Sequence, residues 1–186
     1  MKRTFDLFLC LIAFIFLFIP TVLIALLVIL TSRGPAIFWS LRVGSNNDLF
    51  FMPKFRSMRI GAPDVATHLL DNSEQWVTPL GTFLRKNSLD ELPQVWSIFK
   101  GDMSFVGPRP ALYNQDDLIT LRTLAGLHLL KPGLTGWAQV NGRDELPISE
   151  KVKLDKVYLQ RQSIWFDSYI IWLTFLKVLR RDGISH

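Results

Sequence analysis

Asp90 and Glu91 are adjacent carboxylates in the run Ser88-Leu89-Asp90-Glu91-Leu92-Pro93-Gln94. The basic pair Arg85-Lys86 precedes them, and the apolar run Val95-Trp96-Ser97-Ile98-Phe99 follows. Ser88 with Glu91 three residues later has the form of a capping box, which predicts a helix beginning close to Asp90. Pro93 suits the first turn of such a helix, and Gly101, after Lys100, suits its C-cap. Both carboxylates then fall in a first turn, where unpaired backbone N–H groups and the positive end of the helix dipole stabilise negative charge. The same place accommodates a phosphate. An Asp kept ionised there can serve as a nucleophile, and its neighbour as a ligand for a divalent ion. The plainer alternative is that the pair only complements the helix end.

Cations that could meet an anionic substrate recur elsewhere in the chain. Lys54 and Arg56 are two residues apart on an expected strand, so they share one face while Phe55 points to the other. That face fits an anion site or a solvated basic surface. Arg109 stands in Gly107-Pro108-Arg109-Pro110, where two prolines fix the backbone on either side and leave the arginine little entropy to lose. A guanidinium matches phosphate oxygens bidentately. The alternative is a rigid turn with an exposed arginine. Residues 131–143 carry three glycines and little helical period, as expected of a structured loop with a strand-like stretch at 137–140 and a turn at Asn141-Gly142.

The elements that must hold these residues start with a membrane segment. Residues 7–30 carry no charge, and as a helix they reach about 36 Å, enough to span a bilayer. Pro20 lies inside, where it removes a hydrogen bond and bends the helix. Lys2-Arg3 and Arg33 flank both ends, so the positive-inside rule gives no direction. A spanning helix and a bent, re-entrant one both remain open. In either case the basic residues Arg33, Arg42, Lys54, Arg56 and Arg59 place the remainder on the cytoplasmic side. A short hairpin is expected from 36–43 and 49–55 around Gly44-Ser45-Asn46-Asn47. Residues 60–78 read as a polar surface loop with a short helix. Helices are expected at 80–86, 116–130, 147–162 and 164–181. In the last of these Ser163, Asp167, Thr174, Lys177 and Arg181 form a polar stripe beside Trp165, Trp172 and Phe175, which suits a helix lying in the membrane interface. The alternative is a helix facing the domain core.

Composition narrows the function classes. The 186 residues are 49% hydrophobic, 12% aromatic and 20% charged, with a mean hydropathy of +0.24. That is apolar for a soluble domain and too charged for a polytopic membrane protein, so a globular part tied to a membrane is expected. A net charge of +5 and a pI near 9.6 suit anionic lipid or nucleotide phosphates. Nucleic acid is not expected as a partner, because no RRM, KH or Cys/His finger pattern occurs. Cys10 is the only cysteine, and His68, His128 and His186 are isolated, so neither an intrachain disulfide nor a cysteine-based zinc site is expected.

The motifs resemble those of small monotopic phosphoglycosyl transferases of the bacterial sugar transferase family. The matching stretches run in order along the chain: Lys2-Arg3-Thr4-Phe5-Asp6, Lys54-Phe55-Arg56-Ser57-Met58, Ser88 to Gln94, Lys100 to Pro110, and Lys131 to Arg143. The resemblance implies an α+β, mostly helical fold. A proline-kinked, re-entrant membrane helix would occupy residues 1–33, and a cytoplasmic catalytic domain with a short β-hairpin and amphipathic interfacial helices residues 34–186. The family's proline usually follows a serine, and here Ile19 stands in that place. The resemblance further implies Asp90 as nucleophile and Glu91, with Asp90, as ligand of Mg2+. Arg85 and Arg109 would bind phosphate, and Lys54, Arg56 and Arg143 would complete the substrate site. The donor would be a UDP-sugar, the acceptor polyprenyl phosphate in membrane lipid, and the location the cytoplasmic face of the bacterial inner membrane. Two other classes keep the same residues in view: an anchored module that binds nucleotide-sugar or lipid without turnover, and a metal-dependent UDP-sugar hydrolase.

Overall fold

The computed structural model describes residues 1–63, 73–142 and 146–180. Helices α1 (Lys2–Thr31), α2 (Ser73–Trp76), α3 (Pro79–Lys86), α4 (Val95–Lys100), α5 (Asp116–Leu124), α6 (Trp137–Asn141), α7 (Ile148–Arg161) and α8 (Ile164–Arg180) dominate. Two short sheets accompany them. Strands β1 (Ile37–Val43) and β2 (Leu49–Phe55) form the expected antiparallel hairpin, with Ile37 opposite Phe55 and Val43 opposite Leu49. Strands β3 (Ser104–Val106) and β4 (Gly133–Thr135) pair in parallel. The fold is α+β and mostly helical.

Two expected elements outside the carboxylate run differ. The helix expected over 116–130 stops at Leu124, because Gly126 turns left-handed at φ 73° and a separate 3-10 turn covers Leu127–Leu129. The strand expected at 137–140 is instead helix α6, and the strand lies earlier at β4. Glycine decides the latter. A Cβ on Gly133 would strike the Gly107 backbone and one on Gly136 the Gly107 carbonyl, so only glycines let this stretch lie against the end of β3.

Helix α1 is long and apolar enough to cross a membrane, with a mean hydropathy of 3.1, and only 6% of that window is buried. It is therefore no core helix, and its exposed apolar side chains suit a lipid environment. Helix α1 runs through Pro20 without a break. Both ends of α1 dock on the same domain. Near its start, Cys10 and Ala13 pack with Met52, Val95, Ile98 and Met103. Near its end, Ile24, Ala25 and Val28 pack with Phe55 and Leu84.

Polar bonds fasten the first turns of α1. The Lys2 ammonium donates to Asp167 Oδ2 at 2.6 Å, the Val106 carbonyl at 3.0 Å and the Tyr158 hydroxyl at 3.1 Å. Arg3 donates to the carbonyls of Ile98 and Phe99 in the last turn of α4, where the helix dipole is negative. Asp6 accepts from Ser104 Oγ and the Phe105 N–H. Asp167 is buried, so Lys2→Met would leave a carboxylate without its cation. The expected result is a lower unfolding temperature in detergent, for a loss of about 2 kcal/mol, read by a circular-dichroism melt. An unchanged melt would remove Lys2 as an anchor.

Helix α8 carries its polarity in an unexpected direction. Asp167 is buried, and Thr174 Oγ1 lies 2.7 Å from Thr135 Oγ1, so these members of the polar stripe face the domain. Trp165, Tyr169, Trp172 and Phe175 are exposed instead. The outward face of α8 is aromatic, which suits the headgroup layer of a membrane.

Candidate active site

The two carboxylates are positioned by α3 and the reversal after it. Thr78 caps α3, its Oγ1 accepting from the Gly81 N–H at 2.9 Å, with Pro79 in the first turn. The Thr78 N–H in turn donates to the Ser57 carbonyl at 3.0 Å, which ties α3 to the segment after β2. Arg85 and Lys86 fall in the last turn of α3. The chain then passes through Ser88 in the left-handed region, at φ 54° and ψ 21°, into a 3-10 helix over Leu89–Gln94, and only afterwards into α4. The expected capping box does not form, since the Ser88 side chain makes no cap hydrogen bond. Both halves of the box are taken elsewhere: the Glu91 N–H donates to the Ser88 carbonyl at 3.3 Å, and Glu91 Oε1 accepts from Lys54 Nζ at 3.0 Å and from Arg109 Nη2 at 3.1 Å. Two cations attract a carboxylate more strongly than one backbone N–H does. Gly101 does close α4 at φ 103°, as expected.

Opposite electrostatics act on the two neighbours. Burial alone would raise the pKa of Glu91, but Lys54 and Arg109 outweigh it and hold the carboxyl well below the usual carboxylate range. Burial raises the pKa of Asp90; Lys54 opposes the shift, Glu91 adds to it, and Arg85 and Arg109 oppose it. The helix-end expectation of an easily ionised Asp90 is thus reversed by desolvation. One carboxylate is fixed as an anion. The other is buried and surrounded by cations, with its pKa raised by desolvation.

The structure therefore gathers Asp90, Glu91, Lys54, Arg85 and Arg109 from β2, α3, the 3-10 helix and the Pro-Arg-Pro turn. Arg56 does not join them. It lies past the end of β2, is buried, and donates from Nη2 to the Ser32 carbonyl and Ser32 Oγ at the exit of α1. The expected shared face of Lys54 and Arg56 fails because the strand ends between them. Arg143 lies outside the described residues.

The donor set bears on a metal. Among the described residues no group of three His, Cys, Asp or Glu could hold an ion. Asp90 and Glu91 do offer adjacent carboxylate oxygens, the hard donors magnesium takes, and magnesium commonly completes its shell from water and substrate phosphates. The pair fits an ion that arrives with a diphosphate, and does not fit a resident one.

Residues 1–181 match the family model described as bacterial sugar transferase. The chain belongs to that family. It is 37% identical over 98% of its length to the undecaprenyl-phosphate galactose phosphotransferase of Salmonella typhimurium, covering 41% of that protein. It is 40% identical over 95% of its length to the UDP-glucose:undecaprenyl-phosphate glucose-1-phosphate transferase of Escherichia coli, covering 40% of that protein. The chain thus spans about two-fifths of the length of these two relatives. It matches the sugar transferase EpsL of Bacillus subtilis at 40% identity across 100% of the chain and 90% of EpsL.

The chain holds Arg109 with residues that local spacing does not reveal. Arg122 donates from Nη1 to the Arg109 carbonyl at 2.7 Å, and from Nε and Nη2 to Asp155 Oδ2 at 3.0 and 2.7 Å. Asp155 lies on α7, and burial raises its pKa against the pull of Arg122. Arg122→Met would leave Asp155 buried and unpaired, at a cost of about 3 kcal/mol. Because a protonated Asp155 needs no counter-charge, the difference in unfolding temperature from wild type should shrink as pH falls. A difference independent of pH would contradict the pairing. Gln94, one turn after Asp90, is buried and its Nε2 has no hydrogen-bond partner among the described residues; its place in the motif run was its only sequence signal.

Proposed function

We propose that the chain transfers a sugar phosphate from a UDP-sugar to polyprenyl phosphate, giving polyprenyl diphosphate sugar and UMP, the first membrane step of bacterial glycan assembly. The observation that carries this is the buried Asp90 carboxylate among Lys54, Arg85 and Arg109, next to an anionic Glu91. The donor and acceptor chemistry is that named for the undecaprenyl-phosphate relatives.

Asp90 attacks the sugar-bearing phosphorus of the donor. The bond from that phosphorus to the bridging oxygen breaks, and UMP leaves. A phosphate oxygen of the lipid acceptor then attacks the same phosphorus and releases Asp90, so each turnover restores the enzyme. Arg85 and Arg109 bind the equatorial phosphate oxygens, and Lys54 offsets charge on the bridging and leaving groups. Glu91 with Asp90 would hold Mg2+, which when bound neutralises diphosphate charge.

Membrane topology follows the same reading. A helix crossing a bilayer separates its ends by a hydrocarbon layer of about 30 Å, whereas both ends of α1 pack on one domain. This supports a helix that enters one leaflet and returns, with the catalytic domain at the cytoplasmic face of the inner membrane and α8 in the interface. Anchoring there serves the second step, whose acceptor stays in the lipid.

Purified full-length protein given UDP-sugars, Mg2+ and polyprenyl phosphate is expected to release UMP and form lipid-linked sugar in equal amounts. With donor alone, intact-protein mass should rise by one phosphosugar. UMP without lipid product would favour hydrolysis. Failure to trap an adduct under fast quenching would overturn the double displacement.

A further inference from the structure

The turn Gly107-Pro108-Arg109-Pro110 carries the arginine that reaches Glu91. Its two prolines lack N–H groups, so the backbone ladders that flank the turn cannot continue through it. Each carbonyl from Pro108 to Ala111 is nevertheless taken, and each by a different residue. The Pro108 carbonyl accepts from the Gly133 N–H of β4 at 2.8 Å, and the Ala111 carbonyl from the Val43 N–H of β1 at 3.0 Å. Between these backbone bonds, two side chains complete the set. Arg122 Nη1 donates to the Arg109 carbonyl at 2.7 Å, and Arg42 Nη1 to the Pro110 carbonyl at 3.3 Å. We propose that Arg42 and Arg122 are positioning residues for Arg109, two guanidiniums that grip the turn from β1 and α5 and so fix where its side chain meets the phosphates. The inference rests on the transfer reaction proposed above and adds two residues to its machinery.

Both guanidiniums are themselves anchored. Arg42 donates from Nε to Oγ of the buried Ser40 at 2.9 Å. Arg122 donates from Nε and Nη2 to the buried Asp155, which leaves Nη1 for the turn. A planar fork suits this work, because its separate nitrogens reach an anchor and a carbonyl at once. Packing alone does not set the turn. A cavity of about 30 Å³ lies against it, with Pro108, Pro110, Arg122 and His128 among its walls. That volume admits about two waters and no side chain. A turn with a gap at its flank moves more easily than one packed on every side, so the hydrogen bonds decide its place. Losing either guanidinium leaves a carbonyl of the turn unpaired beside that gap. The backbone then shifts, and the Arg109 guanidinium shifts with it. A displacement of about 1 Å at a reacting group costs about a hundredfold in rate.

The test uses full-length protein in detergent with Mg2+, polyprenyl phosphate and a saturating UDP-sugar, and reads UMP release. Arg42→Met is expected to lower the rate about tenfold to a hundredfold. Arg42→Lys, which keeps an N–H to give, should lie within about threefold of wild type. Arg122→Lys keeps a cation for Asp155 but loses the fork, so its rate should fall about tenfold or more with little change in unfolding temperature. Two variants on different elements guard against one that does not fold. Dissociation constants for UDP, read by calorimetry and independent of turnover, complete a cycle with Arg109. Arg42→Met or Arg122→Lys should weaken UDP binding about fivefold or more when Arg109 is present, and less than about twofold in an Arg109→Met protein. Equal weakening in both backgrounds would make the two arginines general scaffold and overturn the proposal. Wild-type rates in both Arg42→Met and Arg122→Lys would overturn it too, while leaving the transfer reaction intact. A wild type that binds UDP but releases no UMP from any UDP-sugar would instead refute the reaction, and this inference with it.

Discussion

Asp90→Asn is expected to lower UMP release by a factor on the order of 10⁴ or more, with a thermal midpoint equal to or above that of wild type. The first half follows from the loss of the only nucleophile in the proposed step. The second follows from burial. Because burial raises the Asp90 pKa, the folded state keeps the proton to higher pH than the unfolded state does. Folding stability attributable to Asp90 is therefore highest below the ordinary carboxylate pKa and falls as pH rises through the raised value. Wild type bears this loss once Asp90 ionises, and asparagine, of nearly the same size and uncharged, removes it. The same shift fixes the pH profile of adduct formation. Since only the carboxylate attacks, the acid limb should lie above the usual aspartate range. A variant that retains turnover, or a wild-type profile already flat at pH 4, would remove Asp90 from the nucleophile role.

Glu91→Gln is expected to reduce both activity and stability, the opposite pairing. Glu91 is held ionised by Lys54 and Arg109. Its contribution to stability is present above the ordinary carboxylate pKa and is lost only as pH falls from there toward the depressed value. Glutamine leaves Lys54 Nζ and Arg109 Nη2 facing a neutral group, a loss of about 2 kcal/mol for the shared charge-assisted bonds. It also removes the carboxylate that accepts from Arg109 Nη2 and takes an oxygen donor from the proposed magnesium pair. Activity should drop by at least about a hundredfold, and more magnesium should be needed for half-maximal rate. Denaturant unfolding and a magnesium titration check the two halves separately. A full-rate Glu91→Gln enzyme would contradict both the ion-pair argument and the metal assignment.

The two variants differ although the residues are adjacent and both acidic. Sequence placed them side by side but assigned both to one helix end, where each would be stabilised as an anion. The tertiary fold separated them. Glu91 turned to cations from β2 and the Pro-Arg-Pro turn, while Asp90 was left buried with net desolvation. Ser88 shows the same limit: serine followed by glutamate at the right spacing is a local signal, and it lost to two charges brought in from residues 54 and 109.

What the sequence determined is whatever depends on neighbours along the chain. A charge-free run of apolar residues fixed the long helix α1, and the apolar stretches on either side of Gly44-Ser45-Asn46-Asn47 fixed the hairpin. Tertiary structure decided whatever depends on partners far apart. Lys2 meets Asp167, Arg122 meets Asp155 beneath Arg109, Arg56 leaves the site for Ser32, and both ends of α1 pack on one domain. The physical reason is range: propensity, caps and turns act over three or four residues, whereas desolvation and charge pairing depend on what the folded chain brings within a few ångströms.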